Sequence, residues 1–294
     1  MSAKSGTIRI GISGWTYPPW RKTFYPADLR QKDELGYASS VFSSIEINGT
    51  FYGPQTPDVF ARWADATPED FAFTVKSPRF ITHIRRLSEP DHPLANFFAS
   101  GLLRLGAKLG PLLWQFPPSF RFDAPLMEAF LKLLPHDTDQ AVALAKRHDR
   151  HLKARAWLQT DATRPVRHAV EIRHESFRDP AFIDLLATYD VALVCADTVE
   201  WPRLMDLTSD FVYCRLHGSE ELYRSGYTDA ALDQWAARAR SWSAGEQMLD
   251  GEFIGEVASK TKKRDVFIFF DNTDKLRAPH DAQALAERLG LMKS

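Results

Sequence analysis

The sequence predicts a single (β/α)8 barrel of TIM type, an α/β fold in which eight parallel strands close on themselves inside a ring of helices. Three observations predict it. Eight short apolar runs are spread over the whole 294-residue chain. Segments with apolar residues three to four apart lie between them, the spacing of a helix with one buried face. Polar residues collect toward the C-terminal ends of the runs, the rim where barrels of this type carry their sites. Alternation of strand and helix favours parallel strands joined by crossovers, and eight units suit closure better than an open sheet.

Taken in order, the strand-like runs cover residues 8–13, 44–48, 72–76, 112–116, 169–173, 192–196, 212–217 and 266–270. The helical segments cover 58–66, 94–105, 126–133, 181–189, 232–242 and 280–289, the last stopped by Gly290. Two stretches break the rhythm. Residues 137–165 include a charged, helix-like run at 146–153, and residues 243–264 are polar, with three glycines and a basic end. Both read as surface insertions, which leaves one domain over 1–294.

Composition narrows the function. The 37 basic and 38 acidic residues nearly cancel, so no global field draws the chain to nucleic acid or to a membrane surface. No stretch approaches the roughly 18 apolar residues of a membrane span, and the first residues lack an apolar leader. Cys195 and Cys214 lie in apolar runs with no Cys-x-x-Cys, which fits buried reduced thiols in a cytoplasmic protein. No dinucleotide fingerprint, Walker loop, Gly-x-Ser-x-Gly elbow or His-Glu-x-x-His is present.

Side-chain alternation then sorts the strands into two faces. Ile45 and Ile47 should face the helices, which turns Glu46 and Asn48 into the barrel mouth. By the same parity Val170 and Ile172 face out while Glu171 and Arg173 face in. Cys214 and Leu216 face out while Tyr213, Arg215 and His217 face in. Lys76 and Gln115 end two other strands, Asp197 follows the sixth, and Asp271 and Asn272 follow the eighth. Ionised carboxylates inside a barrel cost several kcal/mol unless paired, and Lys76, Arg173 and Arg215 are the available partners. A stability network has no reason to choose the C-terminal rim, so the set points to a pocket.

Several of these residues fall in longer motifs. Residues 10–20 read IGISGWTYPPW, 46–52 EINGTFY, 73–76 FTVK with Thr82-His83, and 108–118 KLGPLLWQFPP. Further on, 170–177 read VEIRHESF, 211–218 FVYCRLHG and 269–272 FFDN. In this order and over nearly the whole chain, they resemble the YecE-like family, domain of unknown function 72. The resemblance implies a TIM-like barrel and no settled activity. Two positions depart from the pattern: Asp271 stands where Asn is more usual, adding a charge, and Gly49 stands where Ser is more usual, removing a hydroxyl.

The expected chemistry is a hydrolase or lyase acting on a small polar or phosphorylated molecule. Glu46, Glu171 and His217 are the expected catalytic groups, the carboxyls as an acid–base pair and the imidazole as proton carrier. Trp15, Asn48, Tyr52, Lys76, His83, Gln115, Arg173, His174, Asp197, Arg215, Tyr223, Asp271 and Asn272 are expected to bind substrate or its anionic group. Tyr17, Trp20 and Phe51 join Trp15, Tyr52 and Tyr223 as a candidate aromatic platform. No cofactor is expected. An alternative adds a divalent metal on Glu46, Glu171, Asp197 and His217, against which the neighbouring cations weigh. A nuclease reading rests on Arg79, Arg85 and Arg86, and a ligand-binding scaffold without turnover would use the same pocket. No membrane partner is expected, and no oligomeric state is read.

Overall fold

A computed structural model describes residues 5–152, 155–218, 226–255, 263–272 and 277–292. Eight parallel strands close into a barrel in sequence order: β1 Ile8–Ser13, β2 Ser44–Ile47, β3 Ala72–Lys76, β4 Leu109–Gln115, β5 His168–Glu171, β6 Val191–Asp197, β7 Phe211–Leu216 and β8 Asp265–Phe270. Closure is made by β1 on β8, with Gly11 opposite Phe269. All eight runs expected from the sequence are strands, with ends shifted by a few residues. The largest shift is in β4, which begins through Leu109-Gly110-Pro111. Those breakers sit at its start, where a strand tolerates Pro, and the register against β3 shifts between Phe73 and Val75.

The helices are α1 Glu34–Val41, α2 Gly49–Tyr52, α3 Pro57–Asp65, α4 Asp91–Ala99, α5 Ala124–Leu131, α6 Thr138–Ala145, α7 Pro180–Thr188, α8 Asp229–Ala244 and α9 Arg277–Leu289. Side-chain caps start four of them: Asp123 accepts from Leu126 N, Asp137 from Gln140 N, Asp179 from Ala181 N and Thr228 from Ala231 N.

Two expectations are corrected here. The segment 94–105 is not one helix. Helix α4 stops at Ala99, and Gly101 takes φ +111° where a Cβ would lie 2.5 Å from Pro57 Cα, so only glycine fits this turn. The charged run at 146–152 is turn, and the helix is the apolar stretch before it, α6, which buries Ala141, Leu144 and Ala145. Charge gave that run its helical look, whereas apolar burial decides which stretch coils against α4.

Two apolar layers hold the barrel. The outer one lies between strands and helices and contains Ile45, Ile47, Val170, Ile172, Cys214 and Leu216. The inner one fills the barrel with Ala72, Leu113, Ala169, Ala192, Val194, Phe211, Tyr213, Phe267 and Phe269. Alanines on β3, β5 and β6 face aromatics on β7 and β8, so large and small side chains share one cross-section. Cys195 and Cys214 are register partners on β6 and β7, both free and buried. No helix of the described residues is long and apolar enough to cross a membrane.

Candidate functional site

Above the apolar plug the barrel interior turns polar, and Arg215 is its centre. The guanidinium is fully buried. Its Nε donates to Glu46 Oε2 at 3.0 Å and its Nη2 to Glu46 Oε1 at 2.9 Å, a two-point grip. Nη1 donates to Glu171 Oε2 at 2.6 Å, and Nη2 also reaches Asp271 Oδ2 at 2.8 Å. One cation from β7 thus ties together β2, β5 and the end of β8.

Each carboxylate has further donors. Ser13 Oγ donates to Glu46 Oε1 at 2.9 Å and Tyr213 Oη to Glu46 Oε2 at 2.6 Å. Tyr213 Oη also lies 3.0 Å from Thr74 Oγ1. Arg173 Nε donates to Glu171 Oε1 at 2.8 Å, and the Arg173 guanidinium lies 4.1 Å from the centre of the Trp201 ring. His217 Nδ1 is 3.2 Å from Asp271 Oδ2, and its Nε2 is 3.9 Å from Glu171 Oε2.

The electrostatics follow from this packing. Burial pushes the Glu171 carboxyl up, but Arg215, Arg173 and His217 outweigh it and hold the group well below the usual carboxylate range. Asp271 is likewise pushed up by burial and pulled down further by Arg215, His217 and Lys76, to about 2. Arg215 is itself raised, since Glu171, Glu46 and Asp271 overcome its desolvation.

Lys76 behaves differently. It is 9% exposed at the end of β3, and its Nζ lies 4.4 Å from the centre of the Phe51 ring. None of the described residues forms a hydrogen bond or ion pair with that Nζ. Desolvation and then Arg215 lower its pKa from 10.5 to about 8, against the opposing pull of Asp271, Glu46 and Glu171. The sign is that of a folded state resisting the proton: the cost is fully present below about pH 8 and disappears as pH rises toward 10.5. Lys76→Met is therefore expected to raise the melting temperature at pH 7 by several degrees, at about 1.4 kcal/mol per pH unit and roughly 2–4 °C per kcal/mol. Thermal unfolding followed by circular dichroism checks this. An unchanged or lower midpoint would mean that the ammonium is at ease where it sits.

The other expected residues divide between the mouth and elsewhere. His83 is on a single π-helical turn, Phe80–Ile84, with its ring 4.9 Å from Phe51. Partial burial and the cations Lys76, Arg173 and Arg79 lower it to about 4, so it is neutral at pH 7. Gln115 is buried at the end of β4, in register with Glu171. Asn48 opens α2, with its Oδ1 buried and unpartnered. Tyr52 is 76% exposed, with its ring edge-on to Phe51 at 5.1 Å.

His174 shapes the turn after β5, accepting from Ser176 N at 3.0 Å. Asp197 pairs with Arg203 at 2.9 Å and lines an adjoining cleft of about 550 Å³ with Trp201, Tyr227 and Arg238. Asn272 donates to Asp281 at 2.9 Å and ties β8 to α9. Trp15 packs edge-on against Trp63, 5.2 Å away, beside α3. Trp20 is fully buried against Tyr17, Phe24 and Tyr25, so it offers no platform. Tyr223 lies outside the described residues.

The alternatives meet the same geometry. Among the described residues no three His, Cys, Asp or Glu side chains form a group that could hold a metal. Between Glu46 and Glu171, where an ion would sit, there is a guanidinium, and Asp197 faces Arg203. The arginine stripe is also largely engaged: Arg85 pairs with Glu89, and Arg86 donates to Ser119 and lies 5.6 Å from the Phe120 ring centre.

Sequence reasoning passed over four members of the cluster's surroundings. Ser13 and Thr74 lack any distinguishing local pattern, and only the register, with Ser13 beside Glu46, reveals the first. Tyr213 reads as facing inward but is not counted among the expected site residues. Trp201 lies in the loop after β6 and had no periodic signal.

Fold and site together define a TIM-like barrel with a buried arginine–carboxylate cluster at its C-terminal mouth. A family model described as "Protein of unknown function DUF72" matches residues 9–294. The chain belongs to that family. It is 30% identical over 136 residues to the UPF0759 protein YecE of Escherichia coli K12, covering 46% of this chain and 47% of that protein. It is 30% identical over 118 residues to the UPF0759 protein YunF of Bacillus subtilis 168, covering 38% and 41%. The matched part thus spans less than half the length of each relative. Solved DUF72 family proteins share the fold. One from Thermotoga maritima MSB8 has a TM-score of 0.71 at 22% identity, covering 97% of this chain and 99% of that one. One from Enterococcus faecalis V583 has a TM-score of 0.66 at 17% identity, covering 98% and 97%.

Proposed function

We propose that this barrel is an enzyme of hydrolase or lyase type whose substrate is a small polar molecule with an anionic group, a phosphate ester or carboxylate, seated at the mouth over Lys76. The single observation that supports this reading most is the state of Lys76: an amine buried against an aromatic ring, with a pKa of about 8, without a bound partner among the described residues. Lys108, by contrast, is held as a structural lysine, its Nζ donating to the carbonyl oxygens of Ala64 and Thr67. A buried lysine near its titration point can both attract an anion and exchange a proton at neutral pH.

In this reading Glu46 and Glu171 do not flank a reacting bond. They hold Arg215, and through it the electrostatic floor on which Lys76 sits. Arg173 and the neutral His83 form the wall beside it, and His217 with Asp271 serves as proton carrier. The three carboxylates are balanced by Arg215, Arg173 and Lys76 when Lys76 is protonated. An incoming anion therefore favours the protonated amine and raises its pKa.

Calorimetric titration with inorganic phosphate and with phosphoglycolate tests the reading. Binding to the wild type at pH 7 is expected to weaken at least tenfold in Lys76→Met and to decline as pH rises through 8 and above. No binding, or equal binding by wild type and Lys76→Met, would overturn it.

A further inference from the structure

We infer that Lys76 is a covalent catalyst, an amine that forms an imine with an aldehyde or ketone carbon of the anionic substrate. This rests on the reading above and names the substrate class more closely: a small phosphorylated or carboxylated carbonyl compound.

Position comes first. Lys76 is the last residue of β3, so its side chain rises from a rigid strand into the barrel mouth. The stem is buried, and the amine rests 4.4 Å from the Phe51 ring centre rather than on a carboxylate. A nucleophilic amine needs a free electron pair. A lysine clamped to Glu or Asp would have to break an ion pair to expose one, and this lysine has no such pair among the described residues. The three nearby carboxylates are already occupied by Arg215. The cluster thus separates the acids from the amine, while the positive Arg215 nearby favours the neutral form, a recognised route to lysine activation.

The chemistry balances with water as the only by-product. The neutral Nζ adds to the carbonyl carbon, a C–N bond forms, and the carbonyl electron pair passes to oxygen, which takes from solvent water the proton that Lys76 released on becoming neutral. Nitrogen gives up a proton, relayed by water, to the His217–Asp271 pair, whose groups are 3.2 Å apart and whose carboxylate acts on the Lys76 amine. The same pair returns a proton to the departing hydroxyl, which leaves as water, and a protonated imine remains. That cation withdraws electrons from the adjacent carbon, so a C–C bond or a C–H bond there can break heterolytically. This is lyase chemistry without any added redox agent.

Borohydride trapping decides the matter, because hydride reduces the imine to a stable secondary amine. The full chain is incubated at pH 7.5 with pyruvate or with dihydroxyacetone phosphate, treated with sodium cyanoborohydride, and analysed by intact mass and peptide mapping. The expected result is one adduct per chain, on Lys76, formed at least tenfold faster than on any other lysine and lost in Lys76→Arg. Where Lys76→Arg does not fold, judged by circular dichroism, mapping on the wild type alone decides. Labelling spread over surface lysines, or no adduct with either compound, overturns the inference. If phosphate still binds in a Lys76-dependent way while no adduct forms, only the imine falls. If phosphate binding is absent as well, the anionic-substrate reading falls with it.

Discussion

Replacing Arg215 with methionine is expected to lower the melting temperature at pH 7 by roughly 10 °C or more, the stability cost of breaking a buried ion network at about 3–5 kcal/mol. The side chain fits the space, so the loss is not one of volume. It comes from leaving Glu46 and Glu171, both fully buried, without the guanidinium that holds them, and from exposing Asp271 to the same carboxylates. Ser13 and Tyr213 would still donate to Glu46, and Arg173 to Glu171. Neutral donors soften the charge of Glu46 without cancelling it. Lysine at 215 should rescue only part of the loss, because one ammonium cannot make the forked contacts of arginine. Protonation offers an independent check. The gap between wild type and Arg215→Met should narrow as pH falls from 7 to 4, since acid neutralises the stranded carboxylates. Thermal unfolding of both proteins across that range measures it. A variant that melts with the wild type at pH 7 would show that the cluster carries little of the barrel's stability.

The wild-type barrel is itself expected to lose stability steeply in acid, and the order of events can be worked out from its buried groups. His168 is fully buried, with Nε2 2.7 Å from Pro135 O and Nδ1 accepting from Trp114 Nε1 at 3.0 Å. Burial, opposed by the bond to Pro135, lowers it from 6.5 to about 3. The unfolded chain takes up that proton first, so the contribution of His168 is full above pH 6.5 and declines as pH falls toward 3. Glu171 and Asp271 lose a negative charge on protonation rather than gain a positive one, but their pKa values are also lowered and they act in the same direction. Their contribution is full above the ordinary carboxylate range, near 4, and is lost as pH falls below it, for Asp271 through about 2. The melting temperature should therefore hold between pH 7 and 8, slope downward below 6.5 and steepen below 4.5, for a total fall of roughly 10 °C or more by pH 3. Circular dichroism melts at half-unit intervals trace the curve. A flat profile down to pH 4 would mean that His168 accepts a proton without opening the wall between β4, β5 and the 135 loop.

Parity read along single strands anticipated much of the site. In Glu46, Glu171 and Arg215 the side-chain alternation was enough to turn each residue inward, because flanking isoleucine, valine, cysteine and leucine had to face the helices. Lys76 was found by its place at a strand end. Helices α3, α5, α7, α8 and α9 were also visible, because each shows one apolar stripe over enough turns to be recognised. Helices α1, α2 and α6 were passed over: α1 carries a weak stripe, α2 is a single turn, and α6 lies within the stretch 137–165 read as a surface insertion.

What could not be read along the chain was partnership. Asp197 and Asp271 both stand at the ends of strands, yet one faces Arg203 in a side cleft and the other meets Arg215 and His217. Trp15 and Trp20, in the same motif, turn away from the mouth into packing around α3 and α1. The one-dimensional pattern settled the barrel, its eight strands and the inward faces of β2, β5 and β7, because hydrophobic periodicity is a local property that burial enforces residue by residue. Closure of the barrel decided that Arg215 would grip the carboxylates and that Lys76 would be left against Phe51. Those distances join residues up to 169 positions apart, and strand register and the competition for one guanidinium exist only once all eight strands have met.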